Sequence, residues 1–394
     1  MKAKALVIGR LLNAAIPSCS LCTALLGTTS LGGVFSDQGA LDQSSVFAAQ
    51  NPIFNTVVRV SVYHDFLAGT GAGGSAVVIG NNSDWLLTSG HIFNDVLNQG
   101  GIQQIQVRVG NNATTPDFVV QGDAWYVYPG FTGTGTGQGV DLGLIHLSTS
   151  INSVTPATLY SGSQSSLTGV PAYMCGYGIP GLAGQGLFAS DKIKRAGENI
   201  IGDASYPSWL ESQYLISRFD APSSPSAVAL EWQGSPGDSG GPWMVQDSGT
   251  WQVAGIISGG TLDPSYNFGN ITYATGVSSN LDWIYGVIGV KPSLSIQDGG
   301  TNGVRVQWPS WAASYVLQSC TDVAGSNWVA AAGGLADDGT NRSATFSVST
   351  NGQQFWRLAR QAALVARSEA VSASPVWQGE TGTNLLIRGF HEEP

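Results

Sequence analysis

Between residues 54 and 290 the chain reads as short β-branched and aromatic runs separated by glycine and asparagine turns, with no amphipathic helix between one run and the next. Runs at 56–63, 74–79, 105–109, 142–147 and 251–257 are punctuated by Asn81-Asn82, Gly100-Gly101 and Gly110-Asn111. Parallel strands need a crossover of a dozen or more residues, usually a helix, so this pattern argues against a doubly wound sheet and for an antiparallel barrel or sandwich. The 53 glycines and the scarcity of Lys and Glu point the same way. One helical stretch stands apart at 278–288, with Leu281, Ile284, Tyr285 and Ile288 on a single face. The fold class is therefore all-β.

Lys291-Pro292 breaks the chain, after which runs at 304–308, 315–319, 344–348 and 355–358 alternate apolar and polar residues as half-buried strands do. They predict a small β-sandwich over 291–361, followed by a tail over 362–394. At the other end, Lys2, Lys4 and Arg10 accompany an apolar stretch over 5–26, and the composition then turns to Gly, Ser and Thr. That is the layout of a signal peptide, so residues 1–49 are expected to be a removable leader or pro-segment, with small residues near 38–40 and 46–48 as processing points. The expected location is secreted or periplasmic. Beyond the leader no run of 18 apolar residues occurs, so no transmembrane segment is expected in the mature form.

Only 11% of the 394 residues are charged and the net charge is −10. A phosphate-binding surface needs clustered cations, and the only basic cluster is Lys192, Lys194 and Arg195, so nucleic acid is excluded as a partner. Cys19 and Cys22 fall in the leader, whereas Cys175 and Cys320 fall in different predicted domains and are expected to be free thiols. No metal ligand set and no cofactor motif is found.

Chemistry concentrates in two places. His91 ends an apolar strand in Trp85-Leu-Leu-Thr-Ser-Gly-His91, where small residues let an imidazole stand at a cleft edge; His64, His146 and His391 have no such setting. Gly237-Asp-Ser-Gly-Gly-Pro242 places Ser239 in a sharp turn, so that the amides of Gly237 and Ser239 can point at one spot beside the hydroxyl. Gly-x-Ser-x-Gly also fits the nucleophile elbow of α/β-hydrolases, but those need an acid and then a histidine after the serine. Here the only later histidine is His391, in the tail, while His91 and Asp141, in Val140-Asp-Leu-Gly-Leu-Ile-His146, both precede Ser239.

The three blocks 87–91, 141–145 and 237–242, in that order and 50 and 98 residues apart, resemble the signature blocks of the chymotrypsin/trypsin-like serine peptidases. The resemblance covers about 50–290. It implies two six-stranded antiparallel β-barrels with a cleft between them, His91 and Asp141 from the first and Ser239 from the second, and the helix near 278–288 as the closing helix. It further implies His91 as general base, Asp141 as its orienting carboxylate, Ser239 as nucleophile and the amides of Gly237 and Ser239 as oxyanion hole, acting on a protein or peptide substrate. By motif position Gln233 forms the base of the specificity pocket and Ser258, Gly259 and Gly260 its wall; with no carboxylate at the base, uncharged side chains are expected there. Ile271 is expected to narrow that pocket.

The departures also inform. Ile92 stands where a cysteine is usual, so the chain resembles disulfide-poor bacterial members, which implies a bacterial cell envelope. No Ile-Val-Gly-Gly start precedes the first barrel, where Asn51-Pro-Ile-Phe54 stands instead, so Asp238 is expected to be held by donors other than the freed N-terminus with which it pairs in the animal enzymes. The C-terminal unit resembles fibronectin-III-like or immunoglobulin-like sandwiches appended to exported enzymes. The alternative reading is a catalytically inactive peptidase-like surface or adhesion protein.

Overall fold

The computed structural model describes residues 33–361 apart from 132, 134–138, 203–213, 262, 301–302, 325–326 and 348–352. The apolar leader with Cys19 and Cys22, and the tail with His391, lie outside the described residues.

The chain enters as strand β1 (Gly33–Phe35) and helix α1 (Gln38–Gln50). Asp37 caps the helix, its Oδ1 accepting from the Ala40 amide at 2.9 Å. Val34, Phe35 and Leu41 are fully buried, and Phe47 meets Phe54 and Tyr173 edge-on. The folded unit therefore reaches back to Gly33, into the stretch 1–49 that the sequence assigned to a leader, and both expected processing points lie inside α1. Periodicity hides this because β1 is three residues long and α1 buries mostly small side chains, Ala40, Ser44 and Ala48 beside Leu41.

Strands β2 (Val57–Asp65), β3 (Thr70–Ile79), β4 (Trp85–Thr88), β5 (Gln104–Val109), β6 (Phe118–Val127) and β7 (Gly143–Leu147) close an antiparallel barrel in the order β2-β3-β4-β7-β6-β5. Helix α2 (His91–Leu97) leaves the end of β4. Val58, Val60 and Val62 fill the barrel with Val78, Leu86, Val107 and Ile145. Residues of opposite pleat parity, Val57, Val77, Leu87 and Leu144, instead face the second half and pack with Met244, Val253 and Ile256. Strands buried on both faces in this way read as apolar runs rather than clean alternation.

The second half is built from β8 (Thr158–Leu159), β9 (Pro171–Gly176), β10 (Pro180–Leu182), β11 (Gly186–Leu187), β12 (Arg195–Ile200), β13 (Tyr214–Arg218), β14 (Trp232–Gln233), β15 (Pro242–Asp247), β16 (Thr250–Gly260) and β17 (Ile271–Gly276). Its main sheet runs β12-β9-β15-β16-β17-β13, with β8 added to β16. The ladder does not join β12 to β13 among the described residues. The buried Asn199 amide spans that seam instead, donating to the Arg218 carbonyl at 2.9 Å and the Trp232 carbonyl at 3.0 Å. Just past β12, the Gly202 amide also donates to the Ile216 carbonyl of β13 at 2.6 Å. A second, four-stranded sheet, β11-β10-β1-β14, ties the N-terminal strand to Trp232 and Gln233.

Helix α3 (Leu281–Ile288) ends at Gly289, whose φ of 78° provides the left-handed stop. Beyond it, β18 (Ser295–Asp298), β19 (Gly303–Pro309), β20 (Tyr315–Cys320), β21 (Val329–Ala330), β22 (Leu335–Asp337), β23 (Asn341–Ser347) and β24 (Phe355–Arg360) form two sheets, β18-β19-β23-β22 and β21-β20-β24. Val306, Trp308 and Phe346 of one sheet and Leu317 and Leu358 of the other share one core. Trp308 belongs to this core and Trp356 packs against it. Ser314 bonds to Asp282 of α3 and Trp311 packs on Tyr285, which anchors this unit to the closing helix. Among the described residues no helix is long and apolar enough to cross a membrane.

Candidate active site

The first-barrel contribution is organised around one buried carboxylate. Asp141 is fully buried just before β7; its Oδ1 accepts from the His91 main-chain amide at 2.8 Å and its Oδ2 from His91 Nδ1 at 2.7 Å. The carboxylate thereby satisfies the first amide of α2, which has no partner within the helix, and fixes the ring from the same group. A carboxylate at Nδ1 places the hydrogen on that nitrogen and leaves Nε2 as the acceptor. Ser258 Oγ donates to the same Oδ2 at 2.6 Å, and Thr275 Oγ1 donates to the Asp141 main-chain carbonyl at 3.3 Å. Three donors on one buried carboxylate offset much of its desolvation cost.

Ser239 sits in a turn of the second half. Asp238 N donates to the Ser235 carbonyl, Gly240 N to that of Ile257 and Gly241 N to that of Asp238, at 2.8–2.9 Å. These bonds use the amides of 238, 240 and 241, and among the described residues those of Gly237 and Ser239 take no part in holding the turn. Gly240 has a φ of 84°, and a Cβ there would strike the Ser75 carbonyl and the Thr88 hydroxyl, so only glycine lets this turn approach the first barrel so closely. The Ser75 amide donates to the Ser239 carbonyl at 2.7 Å and Ser75 Oγ to the Gly237 carbonyl at 2.9 Å. Thr88 lies three residues before His91, and a Cβ on Gly74 would strike both Ile92 and the Ser239 carbonyl, so the Ser239 turn and the start of α2 both lie against β3.

Among the described residues Asp238 is held by Gly178 and Ser235. Its Oδ1 accepts from Gly178 N at 2.8 Å, and its Oδ2 from Ser235 N and Ser235 Oγ at 3.0 Å each. Burial pushes its carboxyl up to about 6, against the pull of these donors and of Arg195. A carboxyl raised on folding contributes its full stabilisation below the ordinary range near 4 and loses it as pH rises through about 6, an effect on the order of 3 kcal/mol. Melting temperature followed from pH 4 to pH 7 is expected to decline across that interval in the native chain, and to decline less in Asp238→Asn. Equal slopes would show that another group titrates.

Gln233, on β14, is 1% exposed, and among the described residues neither its Oε1 nor its Nε2 has a partner. Gly234 beside it donates to Thr272 Oγ1 at 3.0 Å. Ile271 and Tyr273, of opposite pleat parity, pack with Tyr214 and Ile216 on the other face, so Thr272 rather than the expected Ile271 borders the Gln233 segment. Ser258, expected as wall, belongs to the Asp141 cluster; Gly259 and Gly260 continue β16 opposite Tyr273 and Thr272. The Ser258 and Thr275 bonds span 117 and 134 residues, so no local sequence signal marks them.

The remaining candidates lie elsewhere. His146 pairs with Asp123 at 2.6 Å near the surface. Lys194 turns inward, donating to the Phe54 and Val57 carbonyls, and Arg195 pairs with Asp191 at 3.0 Å. Cys175 and Cys320 are both free and buried; burial pushes the Cys175 thiol up to about 12, which makes it a poor nucleophile.

A solved HL collagenase structure is similar to this chain at 18% identity and a TM-score of 0.47, over 66% of this chain and 99% of that one. The family model for trypsin matches residues 54–284, which include His91, Asp141 and Ser239 and make up more than half of the sequence. The chain belongs to the trypsin family.

Proposed function

We propose that this chain is an exported serine endopeptidase that hydrolyses peptide bonds through an acyl-enzyme, with His91, Asp141 and Ser239 as catalytic residues. The observation that carries this reading is the double bond of Asp141 to His91, through both the ring and the main chain. One buried carboxylate sets the position and the tautomer of the imidazole.

A neutral serine hydroxyl is a weak nucleophile. His91 Nε2 takes the Ser239 proton as Oγ attacks the scissile carbonyl, while Asp141 stabilises the imidazolium that forms. The amides of Gly237 and Ser239 receive the developing oxyanion. The tetrahedral adduct collapses as His91 returns the proton to the leaving amine, and a water molecule activated by His91 then releases the acyl group. His91 must be neutral to start, so turnover is lost when acid protonates it.

Gln233 at the pocket base and Thr272 beside it offer hydrogen bonds but no charge. A buried Arg or Lys side chain without a carboxylate costs several kcal/mol, more than its methylene stem returns. Peptide-library profiling is expected to show cleavage after small or medium uncharged residues, with Arg and Lys disfavoured. Dominant cleavage after Arg or Lys would sink this pocket assignment. Export rests on Lys2, Lys4 and Arg10 with the apolar stretch over 5–26, and the packing of β1 and α1 supports a leader ending ahead of Gly33. The expected setting is a bacterial cell envelope or its exterior.

A further inference from the structure

A second cavity, of about 630 Å³, opens beside Gly237, between the β2–β3 hairpin and the segment around Lys192. It shares no residue with the Gln233, Gly259 and Gly260 side of the site. Arg59, Arg108 and Lys192 all line it. Arg59 is 8% exposed and reaches the Tyr177 carbonyl at 3.4 Å; its Nη1 lies 3.7 Å from where a Cβ on Gly237 would stand. Arg108 is braced by neutral acceptors alone, Ser61 Oγ at 3.0 Å, Gln106 Oε1 at 2.8 Å and Tyr63 Oη at 3.3 Å. Lys192 is held with a φ of 61°, a left-handed backbone unusual for lysine, and its main-chain carbonyl is tied to the Ala113 amide at 2.9 Å.

Among the described residues none of these three cations is in an ion pair. The nearby carboxylates are occupied elsewhere, Asp191 by Arg195 and Asp238 by Gly178 and Ser235. Burial first, and then the neighbouring cations, hold the Arg59 and Lys192 groups below their ordinary ranges, against the pull of Asp238 on the one and Asp191 on the other. For a chain of net charge −10, three cations around one cavity, outside any ion pair among the described residues, are a local reversal of sign.

We propose that Arg59, Arg108 and Lys192 form a subsite for the leaving side of the substrate that selects an acidic side chain one or two residues after the scissile bond. This rests on the peptidase reading above. If the acyl half of a substrate lies along Gln233 and 258–260, the other half must pass Gly237 on the opposite side, where this cavity begins. Two extended residues span about 7 Å, so an Asp or Glu at either position reaches from the Gly237 amide to the guanidinium beside it. A carboxylate there accepts charge-assisted hydrogen bonds from groups that otherwise face one another's charge.

Peptides identical before the scissile bond and carrying Glu, Gln or Lys at the first or second position after it provide the test. Glu is expected to raise kcat/KM about tenfold over Gln at one of these positions, and Lys to lower it, with the spread narrowing as salt rises. Lys192→Gln with Arg108→Gln should bring the Glu-to-Gln ratio near one, and Lys192→Glu should turn the preference toward Lys. A short ester with no residue beyond the scissile bond reads the catalytic centre alone. If the ester is cleaved but the Glu-to-Gln ratio stays within twofold and indifferent to salt, the subsite is refuted; if the ester is not cleaved, the peptidase reading fails first and the subsite with it.

Discussion

Ser239→Ala and His91→Ala each lower kcat on casein or a peptide substrate by at least about 10³-fold, because either change removes one member of a unit whose parts act together. The two variants differ in stability. Ser239 is anchored through its main-chain carbonyl to the Ser75 amide, a bond that alanine keeps, so Ser239→Ala leaves the melting temperature nearly unchanged. His91→Ala keeps the main-chain bond to Asp141 but removes the ring at 2.7 Å, leaving a fully buried carboxylate short of a donor at a cost of about 1–3 kcal/mol. Near-normal turnover by either variant, measured on folded protein, would overturn the catalytic assignment.

A chain beginning at Asn51 loses stability outright, whereas one beginning at Gly33 keeps it. The shorter chain lacks Val34, Phe35 and Leu41, all buried to within about 1%, each worth roughly 1.5–3 kcal/mol. It also strips the strand paired with both β10 and β14 and the Phe47 contacts to Phe54 and Tyr173. A loss of 5 kcal/mol or more rivals the whole stability of a typical domain, about 5–15 kcal/mol. Because β14 carries Gln233, whatever shorter chain remains folded should show a raised KM before a lowered kcat. Thermal unfolding of both chains checks this, and melting temperatures within a few degrees of each other would mean that β1 and α1 are dispensable.

The parts that were legible in the sequence are those whose signal is local. The β-branched runs between glycine turns foretold the first barrel because each strand carries its own apolar, β-branched composition, and the Gly237–Pro242 block foretold a tight turn because its glycines permit one. The closing helix was legible from four apolar residues on one face. What stayed hidden is non-local or short. Strand β1 gains its meaning from β10 and β14, roughly 150 and 200 residues away. The bond from Ser258 Oγ to Asp141 stayed hidden because the two lie 117 residues apart. Ile271 was one residue out of register, and in a strand one residue exchanges the two faces, which brings Thr272 to the Gly234 side. Lys192, read as part of a basic cluster with Lys194 and Arg195, parts from them once folded: two turn inward and one faces the cavity beside Gly237.

The central claim, that Asp141 and His91 activate Ser239, is tested most directly by labelling with a fluorophosphonate, which requires an activated serine and not merely an exposed one. Intact mass and peptide mapping should show one adduct per chain, on Ser239, with labelling abolished in Ser239→Ala and slowed by orders of magnitude in His91→Ala. An unlabelled, folded native chain, or label distributed over other serines, would contradict it.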